Sequence, residues 1–172
     1  MMIYPVKRLS PNAISVNVDL NEHDRVAWFL LRSDTHHDNA HQDREMEKRH
    51  LELAKERGAG IIDNGDLFCA MQGKWDKRAN QDELRPEHRG NEYLDLITEE
   101  AIDFYTPYAH NFLCLGHGNH ETSLIKHHNI DITTRLAWGL KERTGASIPT
   151  LAYESCVFES RLPRHPHPFP LE

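Results

Sequence analysis

A chain of 172 residues is one domain's worth, long enough to bury a sizeable core and short for two. A formal charge of −7 excludes a broadly basic nucleic-acid binder, and no apolar run approaches the roughly 18 residues of a membrane span. Three cysteines, Cys69, Cys114 and Cys156, stand far apart without a CxxC pair, which argues against both a disulfide frame and a thiolate zinc site.

The start, MMIYPVKRLSPNA, lacks the apolar core of a signal peptide, so a cytoplasmic protein is expected. VAWFLL (26–31) is a short apolar run of the kind buried on both faces of a sheet. It stops at Ser33 and releases SDTHHDNAH, an Asp and three His within a few positions. DREMEKRHLELAKERG then places Met46, His50, Leu53 and Ala54 at helical spacing, with Gly58 to cap the end. GIID (60–63) reads as a second strand, ending at Asn64-Gly65-Asp66. Residues 72–89 read as loop and short turns.

Tyr93, Ile97, Ala101, Phe104 and Tyr105 mark an amphipathic helix. NFLCLG (111–116) is a third strand and runs into HGNHE. Ile132, Leu136 and Leu140 predict another helix that closes near Gly145, and Val157 and Phe158 suggest a further strand. Alternation of strand and helix predicts an α/β fold with a parallel sheet and right-handed crossovers. RLPRHPHPFPLE (161–172) holds four prolines, so the expected division is a domain over 1–160 and an extended tail over 161–172.

Thirteen histidines are many for this length, and their places matter more than their number. Each buried strand ends in groups of metal-ligand type: Asp34 and His36 after the first, Asp66 after the second, Asn119 and His120 after the third. In a parallel sheet the carboxyl ends of neighbouring strands share one edge, where open α/β folds place their sites. Two carboxylates, an imidazole and an amide suit Mn²⁺, Fe or Zn²⁺ better than Cu(I). A carboxylate such as Asp66 is able to bridge two cations, and a pair about 3.5–4 Å apart suits in-line attack on phosphorus.

Three motifs carry a family resemblance. SDTHHD resembles the D-x-H motif, NGDLF the G-D motif and GNHE the G-N-H-[DE] motif of the calcineurin-like metallophosphoesterases, in family order and each after a strand. GDLFCAMQGKWDKR and GNHETSLIKHH are similar to phage-type members. The resemblance implies a four-layer αββα sandwich, of which this chain would supply the N-terminal part with helices outside a parallel or mixed sheet. It implies a phosphoester hydrolase using a hydroxide activated by two divalent ions, Mn²⁺ first among them and Fe, Zn²⁺ or Ni²⁺ after it. Asp34 and His36 would ligate the first metal, Asp66 would bridge, and Asn119 would ligate the second. His120 would stabilise or protonate the leaving oxygen, and Gly65 and Gly118 would allow tight turns.

The family's later G-H-x-H motif has no counterpart here. His165-Pro166-His167 has the H-x-H spacing but follows Arg164 within the proline-rich tail. The expectation is therefore a domain incomplete at its C-terminal side, with apolar surface that invites self-association. Leu67-Phe68-Cys69 after Asp66, and His117 before Gly118, stand where the protein phosphatases carry phosphate-gripping arginines, which argues against that branch. GDLF is similar to the nuclease branch, so a phosphodiester, a phosphomonoester and nucleic acid all stay open as substrates, and no membrane partner is expected. The alternative is a non-catalytic metal-binding or interaction remnant of the same fold.

The remaining residues take plainer readings. His37 and His41 read as solvated neighbours of the site, with a substrate role as the alternative, and His127 and His128 as helix-surface residues. Glu121 either orients a neighbour or is a helix-start carboxylate. Lys74, Trp75, Lys77 and Arg78 read as a solvated loop, with base stacking and phosphate contact as the alternative. His50 reads as a satisfied core residue, and Trp28 and Trp138 as packing.

Overall fold

The three apolar runs form strands because each carries β-branched or large apolar residues with too few positions for a helix turn to repeat. In the computed structural model, which describes residues 2–18, 26–70, 83–152 and 157–161, they are β3 (Phe29–Arg32), β4 (Gly60–Asp63) and β5 (Phe112–Gly116). With β6 (Thr150–Leu151) they make a four-stranded parallel sheet in the order β3-β4-β5-β6. The fold is α/β, as the alternation of elements predicts.

Helices α1 (Arg44–Glu56), α2 (Tyr93–Tyr105), α3 (Asn119–His128) and α4 (Ile132–Thr144) follow β3, β4 and β5. Their ends are set by local chemistry. The Asp43 carboxylate caps α1 at the Met46 amide, Asp131 caps α4 at the Thr134 amide, and Gly145 closes α4 with a φ of 77°. Leu51, Ala54, Ile97, Tyr105, Leu136 and Leu140 pack with Ile61, Phe112 and Leu115 into one core on the helix side of the sheet.

A second, smaller sheet covers the other face. β1 (Val6–Ser10) and β2 (Ala13–Asn17) form an antiparallel hairpin, and β7 (Val157–Arg161) lies parallel to β2. Ile14, Val16 and Val18 pack there against Ile62, Leu113, Cys114 and Leu151. The layers therefore run helices, four-stranded sheet, three-stranded sheet. Between β4 and β5 the pairing jumps from Ile61↔Phe112 to Ile62↔Cys114, so Leu113 is an extra residue on β5. Both Leu113 and Cys114 then face the second sheet, and Gly60 leaves room for the Leu113 side chain.

Several expectations need correction. The buried stripe of α1 is Glu47, Leu51 and Ala54; Met46, His50 and Leu53 are exposed, so the helix is turned by about one residue position from the predicted face. The cause is Glu47, which turns inward to meet an arginine of β3. His50 is thus not a core residue. Trp138 is 66% exposed, and Trp28 is half exposed beneath the Arg57 guanidinium. The β1–β2 hairpin gave no apolar run to read, because most of β1 faces solvent. Among the described residues no helix is long and apolar enough to cross a membrane. Of the expected tail only Arg161 is described, as the last residue of β7; residues 162–172, with His165 and His167, and the Lys74–Trp75–Lys77–Arg78 patch lie outside the described residues.

Candidate metal centre

Parallel pairing continues past the strands into the loops that carry the ligand-type residues. Asn64 N–H donates to Arg32 O, Asp34 N–H to Gly65 O at 3.1 Å, His36 N–H to Asp66 O at 3.1 Å and His37 N–H to Leu67 O at 2.7 Å. Asp34, His36 and Asp66 adopt φ of 53°, 47° and 52°, a left-handed backbone that costs non-glycine residues on the order of 1–3 kcal/mol each. Three such residues side by side on two loops are local strain held by the surrounding structure.

The loops after β4 and β5 touch through backbone. A Cβ on Gly65 would lie 2.3 Å from Gly118 N, and a Cβ on Gly118 would lie 2.1 Å from Asp66 Oδ1 and 2.3 Å from Asp66 N. His120 N–H donates to Asp66 Oδ1 at 2.9 Å. Asn119 opens α3 beside them and is exposed. The edge of the sheet therefore gathers Asp34, His36, Asp66, Asn119 and His120, five residues from three strand ends.

Two buried carboxylates hold the 66–70 loop in place. Glu121 Oε2 accepts from Gly118 N–H at 2.8 Å and Asp66 N–H at 3.1 Å, and Oε1 accepts from Phe68 N–H at 2.9 Å. Burial pushes the Glu121 carboxyl above its ordinary range, with the Phe68 and Gly118 amides pulling the other way. Asp38 accepts from Cys69 N–H at 2.6 Å and Ala70 N–H at 3.0 Å, and also from the Tyr93 hydroxyl. Of its two sequence readings Glu121 takes the orienting one; Asp38 gave no signal in sequence except its place in the polar run after β3.

Beneath the loops lies a charged cluster. Arg32 meets Asp63 at 2.8 Å and Glu47 at 2.9 Å, and donates to the Tyr105 hydroxyl at 3.0 Å. Tyr105 donates to Glu47 Oε1 at 2.5 Å, and His37 Nδ1 lies 3.2 Å from Glu47 Oε2. Full burial pushes Asp63 up to about 6 despite Arg32. Burial also resists ionisation of Glu47, yet His37, Arg32 and Tyr105 outweigh it and bring it down to about 2. His37 is fully buried rather than solvated, and burial holds its pKa below the ordinary value. This corrects its reading as a solvated neighbour.

His117 is likewise tied down. Its Nδ1 faces Leu151 O at 2.7 Å and its Nε2 faces Asp131 Oδ1 at 2.9 Å, which anchors the turn before Gly118 to α4 and β6. His41 is exposed, and with Asp34, His36 and His50 it lines an open cavity of about 470 Å³ between the end of β3 and α1. His127 is exposed and His128 half-buried at the end of α3.

Among the described residues no lysine or arginine pairs with Asp34 or Asp66. The His36 and His120 rings meet edge to face at 4.6 Å. Unneutralised carboxylates beside two imidazoles are a donor set that fits a divalent cation. The tightest group has a different make-up: ligand atoms of His36, Cys69 and His120 lie within 4.8 Å of one another, and no other set of three His, Cys or carboxylate side chains among the described residues does so. Sequence reasoning set thiolates aside for want of a CxxC pair. The usable signal was that Cys69 sits three positions after Asp66, on the same strand-end loop.

Comparison of the chain with protein-family models, curated proteins and solved structures found no match in any of the three.

Proposed function

We propose that this chain is a metal-dependent phosphoester hydrolase of the calcineurin-like metallophosphoesterase type, acting on a phosphodiester or phosphomonoester with two divalent ions, Mn²⁺ foremost. The observation that carries the proposal is the strand-end assembly: D-x-H, G-D and G-N-H motifs lie on adjacent loops of a parallel sheet, with three of their residues in left-handed backbone. The layer order of helices, sheet and second sheet is in keeping with three layers of the αββα sandwich that the resemblance implies.

In this reading Asp34, His36, Asp66 and Asn119 hold the ions. When bound, such ions supply Lewis acidity toward a phosphoryl oxygen and lower the pKa of water. Asp66 is fixed by the His120 amide and by Glu121 through its own N–H. The His120 Nδ1 donates to Cys69 O at 2.6 Å, which fixes the ring and leaves Nε2 to face a phosphoryl or leaving oxygen. Glu121 and Asp38 position the loop without touching substrate.

One observation favours a second reading, a metal-binding domain without hydrolysis: the tightest ligand group contains neither Asp34 nor Asp66. Mn²⁺-dependent hydrolysis of a chromogenic phosphodiester, run beside the matching monoester with Asp66→Asn as control, separates the two. Activity lost in the control supports the hydrolase and names the ester class. Folded protein inactive on both esters supports the second reading.

A further inference from the structure

We propose that the imidazoles of His36 and His120 and the thiolate of Cys69 form a mononuclear site for one thiophilic cation, Zn²⁺ or Cd²⁺. This goes beyond the hydrolase reading, which gives the Cys69 sulfur no role, and it requires no phosphoester chemistry.

The three ligand atoms lie within 4.8 Å of one another, although they come from the loops after β3 and β4 and from the start of α3. Bond lengths of about 2.3 Å to sulfur and 2.0–2.1 Å to nitrogen put tetrahedral ligand atoms roughly 3.3–3.7 Å apart, so a small inward shift of these groups closes the set. Cys69 is not in a disulfide, and its backbone is clamped by Asp38 through the amides of Cys69 and Ala70. The Cys69 carbonyl engages His120 Nδ1, so Nε2 carries the lone pair, the arrangement in which a backbone oxygen orients a metal-ligating imidazole.

Asn39 Nδ2 lies 3.8 Å from Cys69 Sγ and offers an N–H to the sulfur. A sulfur with two imidazoles selects Zn²⁺ or Cd²⁺ over Mn²⁺ or Mg²⁺, which take oxygen-rich sets. On binding, the thiol proton passes to solvent and the fourth position stays open. Because His36 and His120 also serve the hydrolase arrangement, one thiophilic cation draws both away from it.

Titration of the whole, metal-free protein with Cd²⁺ alone, followed by the ultraviolet thiolate-to-cadmium charge-transfer band, tests this without substrate. A band saturating at one equivalent is expected in the wild type and in Cys114→Ser. Cys69→Ser should lose the band and bind Cd²⁺ at least about tenfold more weakly, since removal even of an outer partner costs that much. A band that persists in Cys69→Ser, or is missing from the wild type, overturns the proposal. X-ray absorption of the Zn²⁺-loaded wild type needs no variant: one sulfur and two imidazoles are expected, and a shell without sulfur overturns it. Neither readout depends on hydrolysis, so loss of the hydrolase reading leaves this test intact.

Discussion

Gly118, like Gly65 across from it, leaves the site no room for a side chain. A methyl group there would meet Asp66 Oδ1 at 2.1 Å and the Asp66 amide at 2.3 Å, and the second of these is backbone that has no free rotation. Gly118→Ala should therefore displace Asp66 and weaken Mn²⁺ binding by at least about tenfold, the cost usual for a disturbed outer partner; calorimetric titration reads it, and unchanged affinity would show the loops have slack. Glu47 makes a second residue-scale prediction. Its carboxylate, brought to about 2 against an ordinary 4.5, binds fewer protons folded than unfolded between those values. The stability it contributes is present above pH 4.5 and is lost as pH falls toward 2. Glu47→Gln should cost about 3 kcal/mol near pH 6, the low end for a broken buried pair because Asp63 still faces Arg32. The deficit should shrink by pH 3 in urea denaturation. Asp34, His36, Asp66, Asn119 and His120 were legible because strand ends seldom carry so many ligand-type side chains directly after an apolar run. Glu121 was legible as one of two alternatives, whereas Asp38 and Glu47 were not, since a carboxylate that turns inward is marked only by partners from other elements.

At the scale of elements, the main strands, the helices and their order followed from period and length, since VAWFLL, GIID and NFLCLG are short apolar runs bounded by polar loops. Only GIID and NFLCLG are buried on both faces; in β3, expected to be so, Leu31 is 66% exposed at the sheet edge. What failed to follow was phase and pairing. The face of α1 is decided by Arg32 on β3, and the second sheet depends on β7 joining β2 across most of the chain, a contact with no local signature. The joint between α3 and the loop after β4 centres on Glu121, which gathers the amides of Asp66, Phe68 and Gly118, while His120 adds bonds to Asp66 Oδ1 and Cys69 O. Glu121→Gln keeps shape but turns an NH₂ toward at least one of these donors. It should destabilise by about 2–3 kcal/mol, the range of a charge-assisted bond lost with a buried donor left unpaired. It should also speed hydrogen exchange at Phe68 and Gly118 while leaving β1 and β2 unchanged. Equal acceleration throughout would mean that Glu121 anchors the whole fold rather than this joint.

For the whole molecule, strain and uncompensated charge gather at one edge of the parallel sheet. Asp34, His36 and Asp66 stand in left-handed backbone there, and neither carboxylate meets a lysine or arginine among the described residues. The folded chain therefore carries a backbone cost at this edge, and the unfolded chain offers a divalent cation no such arrangement of ligands. Binding to the folded state alone stabilises by mass action, about 2.7 kcal/mol at a hundredfold excess over Kd. For a chain of 172 residues, at roughly 2–4 °C per kcal/mol, saturating Mn²⁺ should raise Tm on the order of 5–10 °C. Asp66→Asn removes one negative charge and one oxygen ligand, so it should melt higher than the wild type without metal and gain little from Mn²⁺. Differential scanning calorimetry of both proteins, with and without Mn²⁺, gives the four midpoints. A metal-free Asp66→Asn that melts lower than the wild type would mean that Asp66 works mainly through the His120 amide, and the edge would then be structure before it is a site.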